Sequence, residues 1–189
     1  QRGRPITLAD LATQTSGLPL RPANLPSKNP ANPYAGYTSD LLLRGLAGLK
    51  LEQNAGSAYQ YSNLGYGLLS YVLASRERQP FAQLLRSRVI QPLGMKRTAY
   101  NLDAAMSANR ATGYDDLLQP EGSWDFGALE GAGGLRSSAN DLLNLLELYL
   151  GRRAGPLVDA SRLTIRTHRP GGMQPATFIA MGWNIYIDR

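Results

Sequence analysis

Helical patterns recur along most of this 189-residue chain, whereas a convincing strand pattern occurs once, near the C-terminal end. Residues 178–187 alternate loosely and are rich in Ile, Trp and Tyr, which favours a β-strand. A single strand cannot form a sheet, because its backbone donors and acceptors need a neighbouring strand. The sequence therefore predicts a mainly helical body and a strand whose pairing partner is missing from the chain.

Side chains able to cap a helix indicate where several helices begin. Thr7 with Asp10 three residues later approximates a capping box, and Ser138 with Asp141 repeats that arrangement. A long Pro- and Asn-rich loop, residues 19–37, follows the first of these helices. The helix after Ser138 is apolar nearly all round, so we expect it to be deeply buried.

Apolar spacing predicts further helices, near 39–49, from 64 onward, from Pro80 and near 159–167. The helix that starts near residue 64 contains Gly65 and Gly67, each of which costs about 1 kcal/mol relative to alanine. We therefore expect that a neighbouring element approaches the helix closely at these glycines.

The composition excludes several kinds of site. The absence of cysteine excludes disulfides, thiolate catalysis and thiolate zinc sites, and the single histidine, His168, excludes a multi-histidine metal centre within this chain. We therefore expect no metal centre of these two kinds, and we expect no other cofactor. Our interpretation of His168 is a surface-loop residue.

The formal net charge of +6 raises the question of a nucleic-acid partner. The basic residues, nearly all arginine, occur singly or in pairs such as Arg152-Arg153, without a cluster of five or six and without interleaved aromatics. We expect a solvated basic surface rather than a nucleic-acid interface.

Residues 53–75 carry no charge, but their polar side chains and three glycines do not suit a membrane span of about 20 mainly apolar residues.

Tyr61, Ser62 and Asn63 stand immediately before the Leu64 helix. In extended backbone positions i and i+2 point the same way, so with Ser62 or Asn63 as N-cap the side chains of Tyr61 and Asn63 would project into one cavity. A phenol and a carboxamide there supply a proton-transfer group and a neutral donor and acceptor. The alternative is a packed Tyr61 ring and an Asn63 that merely caps the helix.

The tripeptide 61–63, with the Gly- and Leu-rich run after it, resembles the Tyr-x-Asn motif of the serine β-lactamase and penicillin-binding-protein superfamily. The chain is most similar to its class C β-lactamase branch with the related DD-peptidases and esterases. Other segments agree with the superfamily in the same order. They are Thr-Ser-Gly-Leu-Pro at 15–19, Pro-Leu-Gly-Met at 92–95 with Thr98, the Gly-Gly-Leu segment within 131–141, and Gly182-Trp183.

This resemblance implies an α+β fold, of which the chain supplies the predominantly helical domain (1–177) and the start of the C-terminal sheet portion (178–189). Most of the antiparallel sheet domain would be missing, and the flanking segments of the protein would be its partners. By the same resemblance Tyr61 would be the general base and acid. Asn63 would hold the substrate amide carbonyl and the motif lysine, and Arg21 could read a substrate carboxylate or be a solvated loop residue.

The family nucleophile, a serine in a Ser-x-x-Lys motif, is not in this chain, and neither is Lys-Thr-Gly or His-x-Gly. We therefore expect an internal piece of a serine hydrolase that is inactive alone. Its substrates would be small molecules: β-lactams, acyl-D-Ala-D-Ala peptides, or esters if the protein is a carboxylesterase. A non-catalytic binding or scaffold derivative is the third alternative. The resemblance implies a periplasmic or secreted protein, with a cytoplasmic location open.

Overall fold

The computed structural model describes residues 3–51, 53–166, 168–171 and 177–186. The helices are α1 (Leu8–Ala12), α2 (Ser39–Ala47), α3 (Asn63–Glu77), α4 (Phe81–Leu85), α5 (Ala104–Ala108), α6 (Ala139–Tyr149) and α7 (Val158–Arg166). A π-helical turn (Arg86–Ile90) continues α4, and a 3₁₀ helix spans Gly127–Ala132. The strands are β1 (Gly113–Tyr114), β2 (Pro120–Glu121), β3 (His168–Pro170), β4 (Thr177–Ala180) and β5 (Asn184–Tyr186). The fold is thus α+β, as the sequence predicts.

The prediction of a lone unpaired strand is wrong. The region predicted as one strand contains β4 and β5, which a turn at Gly182 (φ +81°) separates, and β3 completes an antiparallel sheet in the order β3-β4-β5. Pro170 obscured β3 in the sequence, yet β3 lies at the end of this strand order, where a missing backbone N–H is tolerated. His168 therefore lies in a strand paired with Ala180 and not in a loop. Residue 187 of the predicted strand lies outside the described residues.

A hydrophobic core joins α1, α2, α3 and the 3₁₀ helix to the long loop between α1 and α2. Its buried members are Leu11, Leu18, Tyr34, Tyr37, Leu42, Leu64 and Leu129. Gly67 of α3 faces Leu129 so closely that a Cβ at Gly67 would overlap Leu129 Cδ2. The close approach predicted for the glycines of this helix is confirmed at Gly67.

The prediction that the helix after Ser138 is deeply buried is wrong. In α6, Leu148 packs into a second core cluster with Ile90, Leu93 and Met95. The leucines on other sides of the helix are exposed, and these are Leu142, Leu143 and Leu146, followed by Leu150 just after the helix. Apolar character all round a helix does not say how many of its faces a neighbour covers.

Ser138 caps α6 as predicted, since its hydroxyl accepts from the Asp141 N–H at 3.3 Å. Asp141 has a different role from the capping-box partner that the sequence suggested. Its Oδ2 accepts from the backbone N–H of Arg97 and from Thr98 Oγ1, both at 2.7 Å. This carboxylate ties the Pro-Leu-Gly-Met turn to the start of α6.

Candidate active site

The three residues 61–63 begin α3 in the manner that the sequence predicts. Ser62 is the N-cap, in extended conformation (φ −144°, ψ 109°), and its hydroxyl accepts from the Gly65 N–H at 2.8 Å. Ser62 is fully buried, whereas Tyr61 is 50% exposed and Asn63 is half-buried. The alternative is a packed Tyr61 ring and an Asn63 that caps the helix. The structure does not match it, because Ser62 is the cap and the Tyr61 side chain is half exposed.

The loop after α1 holds this segment in place. Gln14 accepts from the Gln60 N–H with its carbonyl (2.7 Å) and from the Ser62 N–H with its Oε1 (2.8 Å). Ser62 Oγ donates to the carbonyl of Pro19 at 2.7 Å, and the Asn63 N–H donates to that of Leu20 at 3.0 Å. The Thr-Ser-Gly-Leu-Pro segment and the Tyr-x-Asn segment therefore form one hydrogen-bonded unit.

Burial raises the pKa of two tyrosines near Tyr61. Burial raises the pKa of Tyr66 to about 12, and the nearby Tyr61 adds to that rise. The Tyr66 hydroxyl donates to the Ala12 carbonyl at 2.8 Å. Burial, with Tyr61, also raises the pKa of Tyr59. Of these three tyrosines, Tyr61 is the one that is 50% exposed, and it lies two residues before Asn63.

Asn63 is connected to the core by a residue that the sequence reasoning did not identify. Its Nδ2 donates to the hydroxyl of Tyr34 at 2.8 Å, and Tyr34 is fully buried. Nothing in the residues around Tyr34 points to this contact, because the two residues are 29 positions apart. The Pro- and Asn-rich loop that carries Tyr34 was recognisable only by its length.

Arg21 lies beside the same tyrosine. Its guanidinium carbon is 5.8 Å from the centroid of the Tyr34 ring, which is the range of a cation–π contact. The Arg21 side chain is exposed and forms no ion pair with any residue that the structure describes. Tyr34 thus contacts two of the three residues that the sequence singles out, Asn63 with its hydroxyl and Arg21 with its ring.

The described residues contain neither a metal-binding cluster nor a membrane-spanning helix. No group of three or more His, Asp or Glu side chains there is arranged as metal ligands would be. None of the helices in that part of the chain has the length and hydropathy needed to cross a bilayer.

Comparison with known proteins identifies relatives of this chain. The family model described as Beta-lactamase matches residues 1–188. The D-alanyl-D-alanine-carboxypeptidase/endopeptidase AmpH of Escherichia coli (strain K12) is 32% identical over 154 residues, covering 78% of this chain and 37% of that protein. A Beta-lactamase of Providencia stuartii is 31% identical over 156 residues, covering 77% and 35%. The chain thus spans little more than a third of the length of these relatives.

The fold has close counterparts among solved structures. The class C beta lactamase from Rhodobacter sphaeroides superposes with a TM-score of 0.76 at 28% identity, over 96% of this chain and 48% of that one. The Beta-Lactamase/D-Alanine Carboxypeptidase from Pseudomonas syringae gives 0.77 at 25% identity, with the same coverage.

Proposed function

The chain belongs to the Beta-lactamase family, and from that premise we propose that the whole protein is a serine hydrolase. It acylates a serine with a β-lactam or with a peptide that ends in D-alanyl-D-alanine, and water then releases the acyl group. The observation that carries this proposal is that a half-exposed Tyr61 and a half-buried Asn63 stand on either side of a buried N-cap serine.

Tyr61 is the general base and acid of the proposed reaction. A free phenol has a pKa near 10 and is a poor base at neutral pH, so the role requires a cation close by that favours the phenolate. The lysine of a Ser-x-x-Lys motif would supply that charge. No serine among the 189 residues is followed three positions later by lysine, so both groups must come from another part of the protein.

Asn63 and Arg21 bind the substrate in this proposal. The carboxamide of Asn63 donates to the substrate amide carbonyl and accepts from the lysine, since an asparagine has donors and acceptors for both. Arg21 binds a carboxylate on the substrate. Its side chain is exposed and has no ion-pair partner among the described residues, which supports this assignment. In this scheme the helices contribute one wall of the site, and strands β3, β4 and β5 belong to the sheet portion. The protein works in the periplasm or outside the cell.

The first experiment compares the 189-residue chain with the full-length gene product. Each is mixed with nitrocefin and with a p-nitrophenyl ester and then analysed by mass spectrometry. We expect no burst and no covalent adduct for the 189-residue chain, because proximity of other groups cannot replace a missing nucleophile. We expect turnover of nitrocefin, or an acyl adduct on one serine, for the full-length product. A stoichiometric adduct on a serine of the 189-residue chain contradicts the proposal.

The role of Tyr61 is tested in the full-length product by Tyr61→Phe. Loss of a general base should lower kcat about 100-fold or more. Tyr114→Phe is the matched control, because Tyr114 is 59% exposed in β1 and should leave kcat unchanged. Preferential turnover of the ester favours the carboxylesterase alternative, and no turnover of either compound favours a binding or scaffold protein.

A further inference from the structure

The Tyr34 side chain is enclosed and cannot turn away from Asn63. Its ring stacks on Phe126, with centroids 5.0 Å apart and planes 16° apart, and it contacts the ring of Trp124 at 5.8 Å. The loop that carries Tyr34 is bonded to the same aromatic segment, because the Asp125 N–H donates to Asn32 Oδ1 at 2.8 Å. The Tyr34 hydroxyl therefore has a fixed place beside the start of α3.

The hydrogen bond from Asn63 to Tyr34 uses one of the four bonding positions of the carboxamide. An asparagine side chain has two N–H donors and an oxygen with two lone pairs. One N–H of Nδ2 is held by Tyr34, and the backbone N–H of Asn63 is held by the Leu20 carbonyl. The backbone of Asn63 and one edge of its carboxamide are thereby held, which leaves the second N–H and Oδ1 for other partners.

We infer that Tyr34 is a positioning residue for the active site. Its buried hydroxyl orients the Asn63 carboxamide so that the free N–H meets the substrate carbonyl and Oδ1 meets the lysine. This inference rests on the proposed function for the identity of those two partners. The contact itself does not depend on that function and can be tested in the 189-residue chain.

The first test observes the side-chain amide of Asn63 by nitrogen-15 NMR. In the 189-residue chain we expect one of its two protons to be shifted downfield and protected from exchange with solvent, as a hydrogen-bonded proton is. Tyr34→Phe keeps the ring and removes the hydroxyl, so both differences should be lost. Resonances of Asn63 that are unchanged by Tyr34→Phe would overturn the inference.

Tyr37→Phe is the matched control for this test. Tyr37 is a buried tyrosine of the same core, and its hydroxyl donates to Asn24 Oδ1 at 3.0 Å and not to Asn63. Its loss should therefore disturb the core to a similar degree and leave the Asn63 resonances in place. Equal changes in the two variants would mean that Tyr34 is only a core residue, and this result too would overturn the inference.

The second test uses the full-length gene product and a double-mutant cycle. We expect Tyr34→Phe to lower kcat about tenfold with a smaller change in KM, because a misplaced group costs most in the transition state. The same change made together with Asn63→Ala should lower kcat no further than Asn63→Ala alone, since Tyr34 acts through that carboxamide. Additive losses would overturn the inference. An inactive full-length product would contradict the proposed function, and the NMR result would still decide the contact.

Discussion

Asp10 combines several contacts in one buried carboxylate. Its Oδ2 accepts from the N–H and the hydroxyl of Thr7, at 2.8 and 2.7 Å, which completes the capping box of α1. Both carboxylate oxygens also accept from the guanidinium of Arg4, at 2.6 and 2.8 Å. Arg4, with the Thr7 donors, holds the pKa of Asp10 well below its ordinary value, against the opposing effect of burial.

This lowered pKa predicts a loss of stability in acid. The folded state favours the charged carboxylate, so its contribution is present above the ordinary carboxyl pKa and falls as the pH drops below it toward the folded pKa. Asp10→Asn should lower the free energy of unfolding at pH 7 by about 2 kcal/mol, because it removes the charged partner of both the Thr7 cap and Arg4. The same variant should also show a weaker pH dependence of the free energy of unfolding below about pH 4.

Urea unfolding followed by circular dichroism between pH 2 and 7 measures both effects. Asp159→Asn is the control, since the Asp159 side chain is 98% exposed and its pair with Arg162 at 3.6 Å is a surface one. The same acid dependence in Asp10→Asn and in the unmodified chain would contradict the prediction.

The packing of α3 on the 3₁₀ helix depends on the absence of a side chain at Gly67. A Cβ at Gly67 would overlap Leu129 Cδ2 and lie 3.0 Å from Leu129 Cα. Backbone at that distance cannot yield as the end of a flexible side chain can. The two elements can therefore approach this closely only with glycine at position 67.

Gly67→Ala should lower the free energy of unfolding by up to about 2 kcal/mol. Overpacking costs about 1–3 kcal/mol, and the better helix propensity of alanine offsets about 1 kcal/mol of that cost. Gly48→Ala, after α2, is the control, because nothing lies within 4 Å of the added Cβ and its φ of −90° suits alanine. Equal urea midpoints for the two variants would show that α3 and the 3₁₀ helix can separate at little cost.

The hydrogen bond from Thr98 to Asp141, which connects the Pro-Leu-Gly-Met turn to α6, leads to a further prediction. Thr98→Val keeps the shape of the side chain but removes the donor to Asp141, and the buried carboxylate loses one of its two bonds. We expect a loss of about 1–3 kcal/mol, as for other charged groups left partly unsatisfied. Thr112→Val, at an exposed position, should cost less than about 0.5 kcal/mol. Thermal unfolding of both variants distinguishes the two.

At the scale of the whole molecule, α6 presents a group of exposed leucines on its surface. Leu143 is 56% exposed and Leu146 is 43% exposed, whereas Leu148 on the same helix is 6% exposed. A group of exposed leucines on a single helix promotes association, because it offers apolar surface that contact would remove from water.

The double variant Leu143→Gln and Leu146→Gln should lower light scattering at high protein concentration while changing the urea midpoint little, because neither side chain contributes to a core. Leu148→Ala, on the buried side, should cost about 2–5 kcal/mol. If the double variant unfolds as readily as Leu148→Ala, then α6 is buried after all, as the sequence alone suggested.

The sequence by itself determined where most of the helices begin and how the chain enters α3, but it did not predict α5. Capping by Thr7, Ser62 and Ser138 depends on groups within three residues of one another, so the local sequence is sufficient to predict it. The family motifs at 15–19 and 61–63 were recognisable for the same reason, since each is a short contiguous segment.

Only the tertiary structure decided the rest. It decided that β3 pairs with β4, that α6 leaves its leucines exposed, and that Tyr34 meets Asn63. Each of these depends on segments that are distant along the chain, or on which faces of a helix a neighbour covers. The periodicity of apolar residues does not indicate either. Pairing, burial and long-range hydrogen bonds are properties of the packed molecule, because their free energy is gained only when separate segments exclude water together.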